Sequence, residues 1–333
     1  KRLAGAIVGF GEVAANGHWP GYASSAEATI AAVVDRSASR RELASRLSPG
    51  LATFATFDEL AASATAVDFV DVCTPPALHP EPILAAVARG WHVLCEKPFV
   101  LDPAVLGAIR DRAASAGVAV VPVHNWKYAP IVRRATSLLR AGRIGTLRRV
   151  EIETSRLRAA PTAERDRPNW RRDQAIAGGG ILMDHGWHSV YLALHWFGRS
   201  ATAVRATLHH PAGGGVEDEA RVSIEFPGGE AVITLTWNGD TRANTMRLEG
   251  DRGEILLADD TLHVRGDPGE SATFPALSAG SHHDDWFAAM LPDVVACFRN
   301  PLLGRPLFEE AAECLSIIQQ AYRSDRPLTA ARR

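Results

Sequence analysis

Three residues have side chains suited to the oxidation of an alcohol. Lys97 follows an apolar run, residues 91–95, and its ammonium group could stabilise an oxygen that gains negative charge as hydride leaves carbon. His188 titrates near neutral pH and could take the hydroxyl proton. Asp184, one helical turn earlier, could bind a neighbouring hydroxyl or stabilise the imidazolium. The alternative is an ordinary solvated lysine and a packed histidine with one hydrogen bond.

A glycine-rich turn near the start of the chain predicts a dinucleotide site. The apolar residues 3–8 are typical of a buried parallel strand and lead into the pattern G-x-G-x-x-A. The first glycine permits a tight turn, the second lets phosphate approach the backbone, and the helix N-terminus offers N–H groups to pyrophosphate. By itself the pattern fits a simple turn equally well. Its residues are Gly9, Phe10, Gly11, Glu12, Val13 and Ala14.

An acidic residue lies near the spacing expected for a ribose contact. Residues 30–34 predict a second buried strand, and Asp35 follows it, 24 residues after Gly11. The carboxylate should accept hydrogen bonds from the adenosine ribose and repel a 2'-phosphate, so we expect NAD. Arg36 and the arginines after it could tolerate NADP, although a solvated helix face also explains them.

Two further turns follow predicted strands over 67–73 and 91–95. Ligands lie beyond the carboxyl ends of strands in an open parallel sheet, so both turns should face the cofactor. A rigid connector is the alternative for the Thr-Pro-Pro sequence. The residues predicted to contact the cofactor here are Thr74, Pro75, Pro76, His79, Glu96 and Lys97.

The first 123 residues alternate short apolar strands with alanine-rich helical stretches, which predicts an α/β domain with a doubly wound parallel sheet over residues 1–123. The helices over 80–89 and 103–116 have clear ends, because glycine follows each of them and Pro103 begins the second. The predicted strands are 3–8, 30–34, 67–73, 91–95 and 118–123.

Consecutive strand-like segments with glycine-rich turns dominate the remainder of the chain. They predict an α+β domain over 124–333 with a large, open, mostly antiparallel sheet. Residues 156–173 hold six arginines and few apolar residues, and a solvated loop is expected there. The predicted strands are 146–156, 203–208, 220–226, 231–237, 246–250, 254–257 and 262–265, and the predicted helices are 130–141, 181–197, 284–298 and 308–323.

Composition narrows the class of protein. With 333 residues and 46% hydrophobic content, the chain can form two domains with separate cores. The net charge of −2 and the lack of a basic stripe argue against nucleic acid as a partner. No apolar stretch approaches the ~20 residues that span a bilayer, so we expect a soluble protein. The four cysteines lie apart in apolar surroundings, which favours buried thiols in the cytoplasm and no metal site.

Taken together, these motifs resemble the glucose-fructose oxidoreductase, inositol dehydrogenase and rhizopine-catabolism family, Gfo/Idh/MocA. The resemblance implies an NAD(P)-binding Rossmann domain and a substrate domain whose open sheet often forms dimer or tetramer contacts. It also implies a cis peptide before Pro98 and catalytic roles for Lys97, Asp184 and His188. The motifs that carry it are Gly9-x-Gly11-x-x-Ala14, Asp35, Thr74-Pro75-Pro76-x-x-His79, Glu96-Lys97-Pro98, Trp170-Arg171, Gly178-Gly179-Gly180 and Asp184-x-Gly186-x-His188.

The chain departs from the family pattern at Lys127, where arginine is more common. An amine cannot clamp a carboxylate or a pair of hydroxyls through two parallel hydrogen bonds, so the substrate class is open. Trp187 could stack on a sugar ring, but core packing explains it as well. The residues expected to bind substrate are Lys97, Asn125, Lys127, Trp170, Arg171, Asp184 and His188.

Three functions are compatible with these features. The first is reversible hydride transfer between NAD(P) and a secondary hydroxyl of a sugar, inositol or related polyol. The second is a redox-neutral elimination, hydrolysis or epimerisation that uses transient oxidation by tightly bound NAD. The third is a non-catalytic nucleotide sensor, against which the intact Lys97, Asp184 and His188 argue. We expect a homodimer or homotetramer, with no nucleic-acid or membrane partner.

Overall fold

A computed structural model describes residues 2–162, 168–266 and 269–325. The chain forms two compact units. Of the described residues, the first unit contains 2–125, 162, 168 and 282–312, and the second contains 126–161, 169–266, 269–281 and 313–325. The first unit therefore includes residues 282–312, which the sequence analysis placed in a continuous domain over 124–333.

The described residues form the following strands and α-helices. The strands are β1 (Leu3–Val8), β2 (Ala28–Val34), β3 (Ala52–Phe54), β4 (Phe69–Val72), β5 (His92–Cys95), β6 (Val120–Pro122), β7 (Leu147–Ser155), β8 (Ala203–His209), β9 (Glu219–Phe226), β10 (Gly229–Thr236), β11 (Ala243–Gly250), β12 (Gly253–Ala258), β13 (Thr261–Arg265) and β14 (Glu270–Thr273). The helices are α1 (Trp19–Ser24), α2 (Ala38–Leu47), α3 (Phe57–Ala62), α4 (Pro80–Val87), α5 (Pro103–Ala116), α6 (Pro130–Arg140), α7 (Gln174–Ala177), α8 (Trp187–Phe197), α9 (Asp284–Arg299) and α10 (Arg305–Ser324).

The first unit contains a six-stranded sheet in the order β3-β2-β1-β4-β5-β6, with every neighbouring pair parallel. This confirms the predicted doubly wound sheet. Every residue of β4 is buried, as expected for a strand covered by helices on both faces. Strand β3 was not predicted, because three residues carry too little pattern to be recognised.

Helix α5 begins and ends as its sequence predicts. The Asp102 side chain accepts a hydrogen bond from the Ala104 N–H, and Pro103 occupies the first turn. Gly117 ends the helix with a φ of +69°, in the left-handed region that glycine enters at little cost.

The second unit contains an eight-stranded sheet in the order β14-β13-β12-β11-β7-β10-β9-β8. Strands β7 and β10 pair in parallel and every other pair is antiparallel, so the prediction of an open, mostly antiparallel sheet is confirmed. Burial alternates along β9, where Ala220, Val222, Ile224 and Phe226 are buried. One face of the sheet therefore forms core.

Helix α9 belongs to the first unit because aromatic side chains pack it against α1 and the turn before it. The Phe287 ring stacks on His18 with centroids 3.9 Å apart, and it meets Tyr22 edge to face at 5.3 Å. A Cβ at Gly21 would lie only 2.6 Å from Phe287 Cδ1, so the glycine permits this close approach. Periodicity predicted the helix but could not show which core it joins.

Two other expectations concern the core and membranes. Cys73, Cys95, Cys297 and Cys314 are buried free thiols, as predicted. Among the helices of the described residues, none combines the length and apolar character needed to cross a bilayer.

Candidate active site

The glycine-rich turn after β1 has one tightly packed glycine and one open glycine. Gly9 has a φ of +90°, and a Cβ there would lie 2.9 Å from the backbone nitrogen of Thr74. A Cβ at Gly11 would meet no atom within 4 Å among the described residues. Gly9 therefore lets the turn pack on the end of β4, while Gly11 leaves space beside the backbone. Ala14, the third small residue of the pattern, is fully buried.

Asp35 at the end of β2 is held by the backbone of two turns. Its Oδ2 accepts a hydrogen bond from the Phe10 N–H at 2.7 Å, and its Oδ1 accepts one from the Ser37 N–H at 2.8 Å. The carboxylate is therefore fixed beside the glycine-rich turn. Arg36 is exposed, while Arg40 pairs with Glu12 at 3.0 Å.

The turn after β4 contains a buried hydroxyl and a fully buried histidine. Thr74 Oγ1 is buried and has no hydrogen-bond partner among the described residues. The two ring nitrogens of His79 lie 2.9 Å from the Phe99 carbonyl oxygen and 2.7 Å from that of Thr74. Burial lowers the pKa of His79, against the opposing effect of these carbonyl oxygens. His79 thus joins the turns after β4 and β5.

The turn after β5 holds Lys97 between a buried carboxylate and a cis peptide. The Lys97 N–H donates to Glu96 Oε2 at 3.0 Å, and the Lys97–Pro98 peptide is cis, as the resemblance implied. Lys97 is half-buried, whereas Glu96 is only 7% exposed. The backbone of Lys97 is therefore tied to the side chain of the residue before it.

A buried cluster that the sequence analysis missed surrounds Glu96; it comprises His18, Asp71, Cys73 and Glu96. His18 Nδ1 lies 2.7 Å from Asp71 Oδ2, and His18 Nε2 lies 3.0 Å from Glu96 Oε1. Burial alone lowers the pKa of His18, but Asp71 and Cys73 outweigh it, and the pKa is raised well above 6.5. His18 is therefore an imidazolium that donates to both carboxylates.

The same cluster has ligand atoms of His18, Asp71 and Cys73 within 4.8 Å of one another, the spacing at which a metal could bind. The separations of 2.7 Å between His18 and Asp71 and 3.4 Å between Cys73 and Asp71 are hydrogen-bond distances. Burial, together with the nearby Asp71, raises the pKa of the Cys73 thiol. Hydrogen bonding therefore accounts for the cluster. Asp71, a charged residue inside the apolar strand β4, was the feature of the sequence that could have indicated this cluster.

In the second unit, the predicted helix over 181–197 begins with a π-helical turn, Leu182–Gly186, and continues as α8. Such turns are rare and often occur at functional sites. Asp184 lies in this turn, with its Oδ2 3.4 Å from His185 Nδ1 and 3.8 Å from Arg171 Nε. The Arg171 guanidinium carbon lies 4.3 Å from the centroid of the Trp170 ring. The structure thus brings together Trp170, Arg171 and Asp184, three of the predicted substrate-binding residues.

His188 lies in a second group of aromatic and basic side chains. Its Nδ1 lies 2.9 Å from the Tyr191 hydroxyl, and its ring stacks on Trp126 with centroids 4.8 Å apart. Lys127 Nζ lies 5.7 Å from the centroid of the Tyr191 ring. Trp126 and Lys127 belong to a short 3-10 helix, Asn125–Tyr128, in which Asn125 is half-buried. Tyr191 was not among the residues predicted to bind substrate.

Glu217, which the sequence analysis did not identify, holds the start of the π-helical turn. Its carboxylate accepts hydrogen bonds from the Gly180 N–H at 2.9 Å, the Leu182 N–H at 3.0 Å and the Tyr322 hydroxyl at 2.8 Å. A Cβ at Gly180 would overlap the Glu217 carbonyl oxygen, which explains one glycine of the triplet. Burial raises the pKa of Glu217 against the lowering effect of these donors.

Arg156 is not part of a solvated loop as predicted, because it is only 3% exposed. It follows β7 and donates to the Ala243 carbonyl at 3.0 Å and to Asn244 Oδ1 at 2.9 Å. Burial, together with the nearby Arg242, lowers the pKa of Arg156 to about 10. The pairing of β7 with β11 brings the Ala243 and Asn244 acceptors to Arg156. No local sequence pattern could reveal this contact between distant segments.

Two models of one protein family match this chain, one in each unit. A family model described as "Oxidoreductase family, NAD-binding Rossmann fold" matches residues 3–124, and one described as "GFO/IDH/MocA C-terminal domain" matches residues 132–256. The chain belongs to the GFO/IDH/MocA oxidoreductase family. The family, the fold class and an NAD-binding Rossmann domain, all predicted from the sequence, are thereby confirmed.

Several GFO/IDH/MocA relatives have named activities. The scyllo-inositol 2-dehydrogenase (NADP(+)) IolU of Bacillus subtilis is 29% identical over 70% of this chain and 69% of its own. The D-glucoside 3-dehydrogenase of Escherichia coli is 26% identical over 78% of this chain and 84% of its own. The crystal structure of GenD2 from gentamicin A biosynthesis, in complex with NAD, has a TM-score of 0.81 and 27% identity, covering 97% of this chain and 94% of that one.

The residues of the first unit fit the dinucleotide that this family binds. Gly11 leaves space at the glycine-rich turn, Asp35 offers a fixed carboxylate, and Thr74 has a buried hydroxyl without a hydrogen-bond partner among the described residues. These groups follow β1, β2 and β4, whose carboxyl ends lie at one edge of the parallel sheet. This is the edge at which such sheets bind nucleotides.

Proposed function

We propose that this protein oxidises a secondary hydroxyl of a sugar, an inositol or a related polyol, using NAD. The observation that carries the proposal is the arrangement on the helix after Gly180, where Asp184 contacts Arg171 and His185 and where the ring of His188 is held by two aromatic residues. In a chain with an NAD-binding Rossmann domain, these groups provide acid–base chemistry and hydrogen bonds for hydroxyls.

The named activities of two relatives support the substrate class. Their names describe dehydrogenation at position 2 of scyllo-inositol and at position 3 of a D-glucoside. Both positions carry a secondary hydroxyl on a ring with several other hydroxyls. A polyhydroxylated ring is therefore the substrate class that we propose for this chain.

The proposed catalytic residues act at different points of the reaction. NAD held by the first unit would supply the hydride acceptor for the carbon, and His188 accepts the hydroxyl proton, so that the alcohol becomes a ketone. The Lys97 ammonium group stabilises the negative charge that develops on the oxygen. Asp184 binds a neighbouring hydroxyl or stabilises the imidazolium of His188. Substrate binding is completed by Asn125, Lys127, Trp170 and Arg171.

The side chains around the glycine-rich turn favour NAD over NADP. The Asp35 carboxylate is fixed next to the turn and would repel a 2'-phosphate. Arg40 is paired with Glu12, and Arg41 donates to the Asp35 carbonyl oxygen at 2.7 Å. Two of the arginines that could favour NADP are therefore engaged within the chain. The proposed cofactor contacts are the residues named in the sequence analysis.

A homodimer or homotetramer formed through the second-unit sheet is a further part of the proposal. The face of this sheet opposite its core carries charged side chains, including an ion pair between Arg149 and Glu151 at 2.9 Å. Light scattering coupled to gel filtration measures the mass directly. A mass of 35.8 kDa, that of one chain, would exclude both assemblies.

The substrate class can be tested with a panel of inositols, glycosides, aldoses, polyols and uronic acids, with NADH or NADPH formation followed at 340 nm. We expect at least one inositol or glycoside to be oxidised, and NAD to be preferred.

His188→Asn should lower turnover by about 10² to 10⁴-fold while NADH still binds. Full activity of that variant would refute the role of His188. Nucleotide that stays bound through purification, with substrate converted and no net reduction, would replace the proposal with a redox-neutral reaction.

A further inference from the structure

Tyr191 is a fully buried residue with contacts to two of the segments that carry proposed substrate-binding groups. Its hydroxyl oxygen accepts a hydrogen bond from the Trp126 N–H at 3.0 Å and lies 2.9 Å from His188 Nδ1. The residue next to Trp126, Lys127, places its amine 5.7 Å from the Tyr191 ring centroid. The position of this hydroxyl is therefore fixed from more than one side.

The orientation of the His188 ring is fixed as well. The ring lies nearly parallel to Trp126, with an interplanar angle of 21°, and nearly perpendicular to Tyr191, at 76°. Only 7% of His188 is exposed. Nδ1 faces the Tyr191 hydroxyl, so in the proposed function Nε2 is the nitrogen that exchanges a proton with substrate.

A neutral imidazole has its proton on one nitrogen and a lone pair on the other, and the hydrogen bond to one nitrogen decides which form is present. A phenol oxygen can accept hydrogen bonds as well as donate one. We propose that Tyr191 accepts from both the Trp126 N–H and the His188 Nδ1–H, directs its own hydroxyl hydrogen away from Nδ1, and so keeps the basic lone pair of His188 on Nε2. This inference rests on the proposed function of His188 as the base. Tyr191 is a positioning residue, since it acts through His188.

The tautomer can be observed directly, without any substrate. Long-range ¹H–¹⁵N spectra of protein labelled in the histidine rings distinguish a proton on Nδ1 from one on Nε2, and the signals lost in His188→Asn identify His188. We expect neutral His188 to be protonated on Nδ1 in the wild type. In Tyr191→Phe, part of the population should move to the Nε2-protonated form. A wild-type spectrum with the proton on Nε2 overturns the proposal, even if the variant does not fold.

Kinetics provide a second readout. Tyr191→Phe keeps the ring but removes the acceptor, so kcat should fall about 3- to 10-fold, the equivalent of one hydrogen bond. The acidic limb of the pH profile of kcat/KM should move to lower pH, because the imidazolium has lost an acceptor. A role in folding alone would leave the shape of the pH profile unchanged. An unaltered pH profile with wild-type kcat therefore counts against the proposal.

A matched control is Tyr22→Phe, which removes another buried hydroxyl from the first unit. It should leave the His188 signals and the pH profile as in the wild type. The two proposals fail in different ways. An Nδ1-protonated His188 in a protein that oxidises no substrate in the panel contradicts the proposed function alone. An Nε2-protonated His188 in an active dehydrogenase contradicts only the role of Tyr191.

Discussion

His18 Nε2 lies 3.0 Å from Oε1 of Glu96, the residue immediately before Lys97. The other ring nitrogen of His18 lies 2.7 Å from Asp71. One buried imidazolium therefore links the central strand β4 to the turn that carries the proposed catalytic lysine. Asp71 and Cys73 raise the pKa of this imidazole although burial opposes the charge.

His18→Gln should destabilise the protein in a pH-dependent way. Removing one partner of a buried ion pair typically costs about 3–5 kcal/mol of unfolding free energy. Because the folded pKa of His18 is raised, its contribution is fully present below the ordinary value of 6.5 and is lost as pH rises through the folded pKa. Urea denaturation across this range should show the largest difference at the acidic end. The exposed His263→Gln is the control, and an equal loss at every pH would contradict the assignment.

Substitutions of Glu217 should separate its hydrogen bonds from its charge. Glu217→Ala leaves the donors on Gly180, Leu182 and Tyr322 unsatisfied and should cost about 3 kcal/mol. Glu217→Gln should cost about 1 kcal/mol or less, because one oxygen can still accept from them. The raised pKa of Glu217 means that wild-type stability from this group is lost as pH rises through the folded pKa, so the Gln variant should gain relative to the wild type at higher pH. Unfolding free energies test this, with exposed Glu153→Gln as the control.

The two glycines of the glycine-rich turn, Gly9 and Gly11, should respond differently to substitution by alanine. Gly9→Ala combines a φ of +90° with a clash against Thr74, so it should lower the melting temperature. Gly11→Ala has open space around its new methyl group and should melt like the wild type. The methyl group would nevertheless obstruct pyrophosphate, and we expect NADH affinity to fall about tenfold or more. Thermal melts and fluorescence titration measure the two effects. Unchanged NADH binding by Gly11→Ala would place the cofactor elsewhere.

Asp35→Asn should relax the preference for NAD. The amide oxygen can still accept the Phe10 N–H, so the variant loses the negative charge and only the hydrogen bond from the Ser37 N–H. Like charges in contact cost several kcal/mol, and we expect the ratio of kcat/KM for NAD to that for NADP to fall roughly 10- to 100-fold. Measuring kcat/KM for NAD and for NADP with one substrate, in the wild type and in the variant, tests this expectation. A ratio that does not move would mean that Asp35 is not near the 2'-position.

Lys97 and Lys127 should affect different kinetic constants. Lys97→Ala removes charge stabilisation that is needed in the transition state, and kcat should fall about 10² to 10³-fold. Lys127→Ala removes a proposed substrate contact and should raise KM about tenfold with a smaller effect on kcat. Initial rates over a range of substrate concentrations separate the two. A main effect on KM in Lys97→Ala and on kcat in Lys127→Ala would contradict the proposed roles of the two lysines.

Much of this fold was predictable from local signals. Continuous apolar runs indicated the parallel strands of the first unit, and Pro103 and Gly117 marked the ends of α5. The second sheet was recognisable because one face is core and its strands alternate accordingly. The glycine-rich turn and Asp35 could be identified because their spacing reflects the backbone geometry that a dinucleotide requires.

The residues that hold the candidate site in place depend instead on contacts between distant segments. Glu217 reaches Gly180 across 37 residues, and His18 reaches Glu96 across 78. Such contacts leave no periodicity, because each partner is chosen by the way strands and helices pack. The sequence alone determined the class of fold and the cofactor family, and it predicted the reactive groups that we propose. The tertiary structure decided which buried charges support Lys97, which carboxylate holds the Asp184 turn and which hydroxyl contacts His188.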